Sequence, residues 1–280
     1  MQRHGAAGDV TTAAEAARAA SMLTAYNAVD TLKTSTWLSH AGYSRSQFGK
    51  AWIDVDGNHC DTRDDILARD LRSISRAGAC KVLSGTLPDP YTGQTIYYVR
   101  GNGSGVDIDH VVALSNAWET GAAVWAYSKR AALANDPANL LAVDASANRQ
   151  KGDADAGAWL PQRSYQCAYV ARQVMVKRKY QLFVTSDEKS AMKRVLSRCS
   201  FMRLPTPGSQ PTTAANAGAP PLSSSTAVGD TNASTAHAGL DPRFSSCAKA
   251  KAAGYGPYVR GRDSEYAWYR DGDRDGIDCE

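Results

Sequence analysis

The sequence predicts an α+β chain built in two parts, and three observations carry that reading. Short runs rich in β-branched residues alternate irregularly with longer amphipathic segments, without the βαβ rhythm or Gly-rich phosphate loop of a doubly wound sheet. Helical patterning gathers near residues 164–199, in two segments separated by a turn around Val184 to Ser186. After Arg203 the composition changes abruptly to Pro, Ser, Thr, Ala and Gly.

Taken in order, residues 1–24 read as a polar lead-in running into an Ala-rich helix. A larger domain follows over 25–203, with a helix expected at about 64–76. Strands are expected near 79–84, 95–100, 106–112 and 139–143, then helices at 145–152, 164–182 and 187–199. Residues 204–240 bury too little to offset ordering entropy and are expected to be a flexible linker. Residues 241–280 would form a small second module.

The bulk numbers exclude some functions and permit others. A net charge of +4 on 280 residues suits a polyanionic partner without demanding one. No apolar run reaches the roughly 18 residues of a membrane span. The opening stretch lacks the continuous apolar centre of a signal peptide, so no export signal is expected in this chain. The helical pair carries nine basic residues: Arg163, Arg172, Lys177, Arg178, Lys179, Lys189, Lys193, Arg194 and Arg198. They fit a solvated face or a surface that tracks a nucleic-acid backbone equally well.

Six cysteines, widely spaced and without a CxxC pair, suit disulfides better than zinc, although six allow 15 connectivities. Pairing between sequence neighbours is expected: Cys60 with Cys80, Cys167 with Cys199, Cys247 with Cys279. The local argument is strongest for Cys167 and Cys199, which lie at similar distances either side of the helical turn. Buried free thiols are the alternative. Disulfides would place the protein outside a reducing cytosol.

The stretch GVDIDHVVALS, residues 105–115, patterns as a buried strand yet carries Asp107, Asp109 and His110, where burial makes charge costly. Downstream, in NDPANLLAVDASANRQKGDADAGAWLP, Asn139 opens a second short apolar strand, and Asn148, Arg149 and Lys151 sit on a following helix. A hairpin plus a helix would converge these groups. Phosphodiester hydrolysis needs such a set: a base for water, a hard cation, and oxygen ligands to hold it. Asp and Asn supply oxygens suited to Mg²⁺. The tryptophans Trp118, Trp125 and Trp159 read as core rather than base-stacking platforms.

DIDHVV followed by NLLAVDASANRQKGD resembles the HNH motif of the ββα-metal nucleases. The blocks GYSRSQFGKAWIDVDGNHCDTRDDILARDL, VLSGTLPDPYTG and DHVVALSNAWETGA extend the likeness to secreted actinobacterial HNH endonucleases of the DUF1524, GmrSD C-terminal-like group. The resemblance implies a ββα-metal (HNH) core in a mostly helical domain, with His110 as general base and Asp109 and Asn148 as ligands of Mg²⁺ or Mn²⁺. It further implies that Asn139 braces the hairpin, that Asp107 orients the site from behind, and that Arg63 is a candidate phosphate contact; Arg149 and Lys151 read equally as phosphate contacts or as ordinary helix-surface charges. Ala113 stands where many relatives have Pro. DNA is the implied substrate, RNA less so, with little sequence preference. The alternative is an extracellular calcium-dependent binding or wall-associated protein whose HNH fold is inactive.

The ending DGDRDGIDCE places Asp271, Asp273 and Asp275 at alternate positions before Gly276, as in the first half of an EF-hand loop. It resembles the Excalibur calcium-binding domain. That likeness implies Ca²⁺ held by Asp271, Asp273, Asp275, the Ile277 carbonyl and Glu280, a Cys247–Cys279 staple, and association with a cell surface. DVDGNHC at 54–60 echoes the ending, but reads mainly as an Asx-rich turn leading to Cys60.

Overall fold

The computed structural model describes residues 23–101 and 105–220, together with the backbone of two short strands near the C-terminus. The chain forms two compact units, Met1–Leu222 and Ser223–Glu280. Unit one runs α1 (Ala25–Ala28), α2 (Thr62–Asp70), β1 (Arg72–Ala77), β2 (Lys81–Pro88), β3 (Thr95–Val99), β4 (Val106–His110), α3 (Leu114–Glu119), α4 (Tyr127–Asn135), β5 (Leu140–Asp144), α5 (Ala145–Lys151), α6 (Gln166–Tyr180) and α7 (Ser186–Leu196). In unit two, β6 (Tyr258–Val259) pairs antiparallel with β7 (Ile277–Asp278). The side chains proposed for calcium and the Cys247–Cys279 pair lie outside the described residues. Among the described residues no helix is long and apolar enough to cross a membrane.

Strands β1 to β3 form one antiparallel sheet, and β4 and β5 form a second, with Ile108 opposite Ala142 and His110 opposite Leu140. The LLAV run of β5 is buried throughout because both faces of this pair are covered. Val106, Ile108, Leu140 and Ala142 pack with Ile66 and Leu67 of α2 and Tyr98 of β3. Val111, Leu141 and Val143 pack on the other side with Tyr91, Tyr169 and Val174. Alternation along the strand therefore sends successive side chains into two different interiors.

Two disulfides close the domain, Cys60–Cys80 and Cys167–Cys199, the latter bridging α6 and the 3-10 turn that follows α7. Among the described residues no free thiol remains. The turn before α2 is held by its own carboxylates: Asp54 accepts from the amides of Gly57 and His59, at 2.7 and 2.9 Å.

Four expectations are corrected. The helix expected over 64–76 stops at Asp70, and Arg72–Ala77 is an edge strand whose only half-buried side chain is Ile74, so its pairing with β2 leaves no apolar period to read. Leu71 and Ile74 close over Gly85, where an added Cβ would meet Leu71 Cδ2 at 2.9 Å. Helices α3 and α4 went unread because their N-caps, Ala113 and Ala126, provide no side-chain cap. Residues 204–220, expected within a flexible linker, pack on the domain: Ala214 and Ala217 are buried, the Ala214 amide donates to the Ser128 carbonyl, and Lys179 Nζ donates to the Pro207 carbonyl. Small apolar side chains and backbone groups suffice for that docking, which composition does not reveal.

The fourth correction concerns the basic helical pair. Lys177 is buried against Glu188, with Nζ 2.7 Å from Oε1, and Lys179 pairs with Asp136 at 2.6 Å. Arg172 caps the Pro137, Ala138 and Leu140 carbonyls, while Lys193 pairs with Asp30. These cations hold the domain together and do not form a free anion-binding face.

Candidate active site

Strand β4 carries the site, and its pleat divides it. His110 ends the strand on the face of Val106 and Ile108, beside Ala134 of α4 and Trp52, while Asp107 and Asp109 face α5. Asp144 orients α5 onto the pair, its side chain accepting from the Ala147 amide at 2.7 Å.

His110 is 8% exposed, and its Nε2 lies 2.8 Å from the Ala134 carbonyl oxygen. A carbonyl only accepts, so Nε2 carries the proton and Nδ1 keeps its lone pair. Burial pushes the imidazole pKa down to about 4, against the opposing pull of the Ala134 bond, so the ring is neutral at pH 7. Trp52 lies nearly parallel to the ring, 8° between planes and 6.5 Å between centroids. Both line a cleft of about 170 Å³ with Arg45, Lys50, Leu114 and Asn135.

On the other face, Asp109 is 5% exposed and fully engaged. Lys151 Nζ lies 2.9 Å from Oδ1, and the Tyr91 hydroxyl donates to Oδ2. Burial and the Asp109 charge both push the Tyr91 phenol pKa well up, which keeps it a donor. The same ammonium donates to the His110 carbonyl at 3.0 Å, tying the two faces together through the backbone. Asp107 is half-buried and accepts from Asn148 Nδ2 at 3.2 Å.

Asn139 is fully buried and clasps Val112 from both sides, Oδ1 accepting its amide at 2.8 Å and Nδ2 donating to its carbonyl at 3.1 Å. These bonds fix the chain two residues after His110 without touching the imidazole.

The expected residues therefore fall into three groups. Asp107, Asp109, Asn148 and Lys151 converge between β4 and α5, whereas His110 opens to the opposite face. Lys151, expected as a phosphate contact, is 2% exposed and is the counterion of Asp109. Arg149 is exposed on α5; Arg63 is half-buried in the first turn of α2 and lies outside the lining of the His110 cleft. Trp118 is buried, and Trp159 packs on Tyr91 and Tyr169. Arg45, Lys50, Trp52 and Tyr91 were missed. The cations interleaved with aromatics in GYSRSQFGKAW were the signal available for the first three.

For a divalent cation the donor chemistry fits in part. Asp107 presents carboxylate oxygens at the β4–α5 junction, and a hard ion that keeps several waters needs few protein ligands; Asn148 turns its Nδ2 toward Asp107 and would offer its oxygen with the amide turned over. Both oxygens of Asp109 are already taken. No group of three or more His, Cys, Asp or Glu side chains is arranged to hold a metal among the described residues.

Residues 61–195, which contain all of this except the segment carrying Arg45, Lys50 and Trp52, match the family described as GmrSD restriction endonucleases, C-terminal domain. This is a nuclease domain. Residues 244–280 match the Excalibur calcium-binding domain. A protein of Arthroderma benhamiae named "Uncharacterized secreted protein" is 44% identical over 161 residues, 56% of this chain and 76% of the relative. No solved structure matches. The chain belongs to the GmrSD C-terminal domain family and joins that domain to an Excalibur calcium-binding domain.

Proposed function

We propose that the chain is an extracellular, divalent-metal-dependent HNH endonuclease that hydrolyses DNA, with RNA a lesser substrate and sequence preference weak. The observation that carries this reading is the His110 ring. Its Nε2–H is fixed by a backbone carbonyl, its free Nδ1 belongs to a neutral imidazole, and it lines an open cleft with two cations. Nδ1 takes a proton from water as the water oxygen bonds to phosphorus; the P–O3′ bond breaks and leaves a 5′ phosphate. Asp107 and Asn148, from the far side of β4, are the residues to hold Mg²⁺ or Mn²⁺. When bound, that ion would supply positive charge for the nucleic-acid phosphates. Lys151 and Asn139 keep the strand end that carries His110 in place.

Secretion is supported by the name of the fungal relative, by the disulfides and by the calcium-binding domain. In that domain Asp271, Asp273, Asp275, the Ile277 carbonyl and Glu280 are the proposed Ca²⁺ ligands, and the module holds the enzyme at a surface.

Supercoiled plasmid incubated with the full chain tests the reading. Nicking with Mg²⁺ or Mn²⁺ that stops on adding EDTA is expected. Nicking that survives EDTA, or none with either ion, contradicts it.

A further inference from the structure

The cleft around His110 is completed by residues 45–52, which precede the matched family region. This segment is held firmly. Gly49 sits at φ +87°, and a Cβ there would come within 2.8 Å of Ala131 Cβ on α4, so only glycine allows the approach. Arg130 donates to the Gln47 carbonyl at 2.7 Å and to Gln47 Oε1 at 3.2 Å, while the Ile53 amide donates to Asn135 Oδ1 at 3.1 Å. Trp52 itself adopts φ +60°, an outlier for a bulky side chain, and lays its ring beside the imidazole.

All of this anchoring leaves two cations at the mouth of the cleft. Arg45 and Lys50 are both exposed, and neither has an ion pair or side-chain hydrogen bond among the described residues. Lys151, Lys177, Lys179, Lys193 and Arg172, by contrast, are spent on carboxylates and backbone carbonyls. An arginine fork and a lysine ammonium, unpaired and beside a neutral imidazole, suit a phosphodiester oxyanion.

We propose that Arg45 and Lys50 bind the nucleic-acid phosphates flanking the bond that His110 faces, and that Trp52 is a positioning residue for the imidazole. The cation assignment rests on the nuclease reading for its reaction but has a binding readout of its own.

The test compares wild type with Arg45→Ala, Lys50→Ala, the double variant and Arg45→Lys. Lys33→Ala, an exposed cation outside the cleft lining, serves as the charge-matched control. Initial rates on a short DNA duplex are measured across a salt series, and duplex binding is measured in EDTA by fluorescence anisotropy. Each alanine variant is expected to lower kcat/KM about tenfold and to flatten the log–log salt slope by about one, with Lys33→Ala changing neither. Arg45→Lys recovers the slope but not the full rate, because the fork is lost. Trp52→Phe lowers kcat more than KM if the ring positions the base; a fall in stability alone overturns that role. Unchanged kcat/KM and salt slope in the double variant overturn the cation assignment while the nuclease stands. If wild type binds but does not cleave, and the double variant loses the binding, the nuclease reading fails and the cation assignment holds. If neither cleavage nor salt-dependent binding is found, both fail.

Discussion

The two faces of β4 put the same strand to opposite uses. On one, Asp109, Lys151 and Tyr91 form a dry, charged network in which every polar atom is matched. On the other, His110 is held by the Ala134 carbonyl and opens to a cleft whose cations have no partners among the described residues. Buried charge that is fully paired holds a fold, whereas a neutral base beside unpaired cations is prepared for a substrate. The comparison separates residues that support the site from residues that meet the phosphate, although they alternate along five positions of sequence.

The largest expected effect breaks the dry face. Asp109→Asn leaves Lys151 buried without a counterion and is expected to cost about 3–5 kcal/mol in urea unfolding. Adding Lys151→Met should recover much of that loss. A fully stable Asp109→Asn chain would mean that the network carries no structural weight.

Acid should sharpen the contrast. The folded-state His110 pKa of about 4 lies below the ordinary value of about 6.5, so the unfolded chain binds the proton more readily. His110 therefore contributes nothing adverse above pH 6.5, and stability falls as pH drops from about 6.5 to 4. The expected loss approaches about 3 kcal/mol relative to His110→Gln over the same range. Parallel stability profiles for the two proteins would contradict a buried neutral imidazole.

Cutting the chain after residue 203 tests the docked segment, which a cut after 222 retains. Loss of the Ala214 and Ala217 contacts and the 207 and 214 backbone bonds should lower stability by about 1–2 kcal/mol. Equal melting temperatures for the two fragments would return 204–220 to the status of linker.

Asp107→Asn is expected to have the smallest effect on stability, under about 0.5 kcal/mol, because the side chain is half-buried and, among the described residues, bonded only to Asn148. It should instead raise the Mg²⁺ concentration for half-maximal cleavage. If Asp109→Asn combined with Lys151→Met shifts that titration and Asp107→Asn does not, the ligand roles are reversed.

Much of the β4, β5 and α5 arrangement was legible in the sequence because motif and period coincide there: charged residues interrupt an apolar strand, and Asn148 and Lys151 follow at helical spacing. Which partner each charged group takes was not. Lys151 reads as a surface cation until Asp109 is seen to claim it, since residue type alone does not give direction. Helix α4 lacked a side-chain cap, and β1 lacked a buried face. Arg45 and Trp52 lie about 60 residues before His110, so their meeting depends on the docking of Gly49 against Ala131.

The most direct test of the central claim is the turnover of His110→Ala on duplex DNA in Mg²⁺, read beside its melting temperature and its DNA affinity in EDTA. The account predicts a loss of about 10²- to 10⁴-fold in kcat, with affinity kept and the fold intact. Cleavage by a folded His110→Ala chain at near the wild-type rate would contradict it.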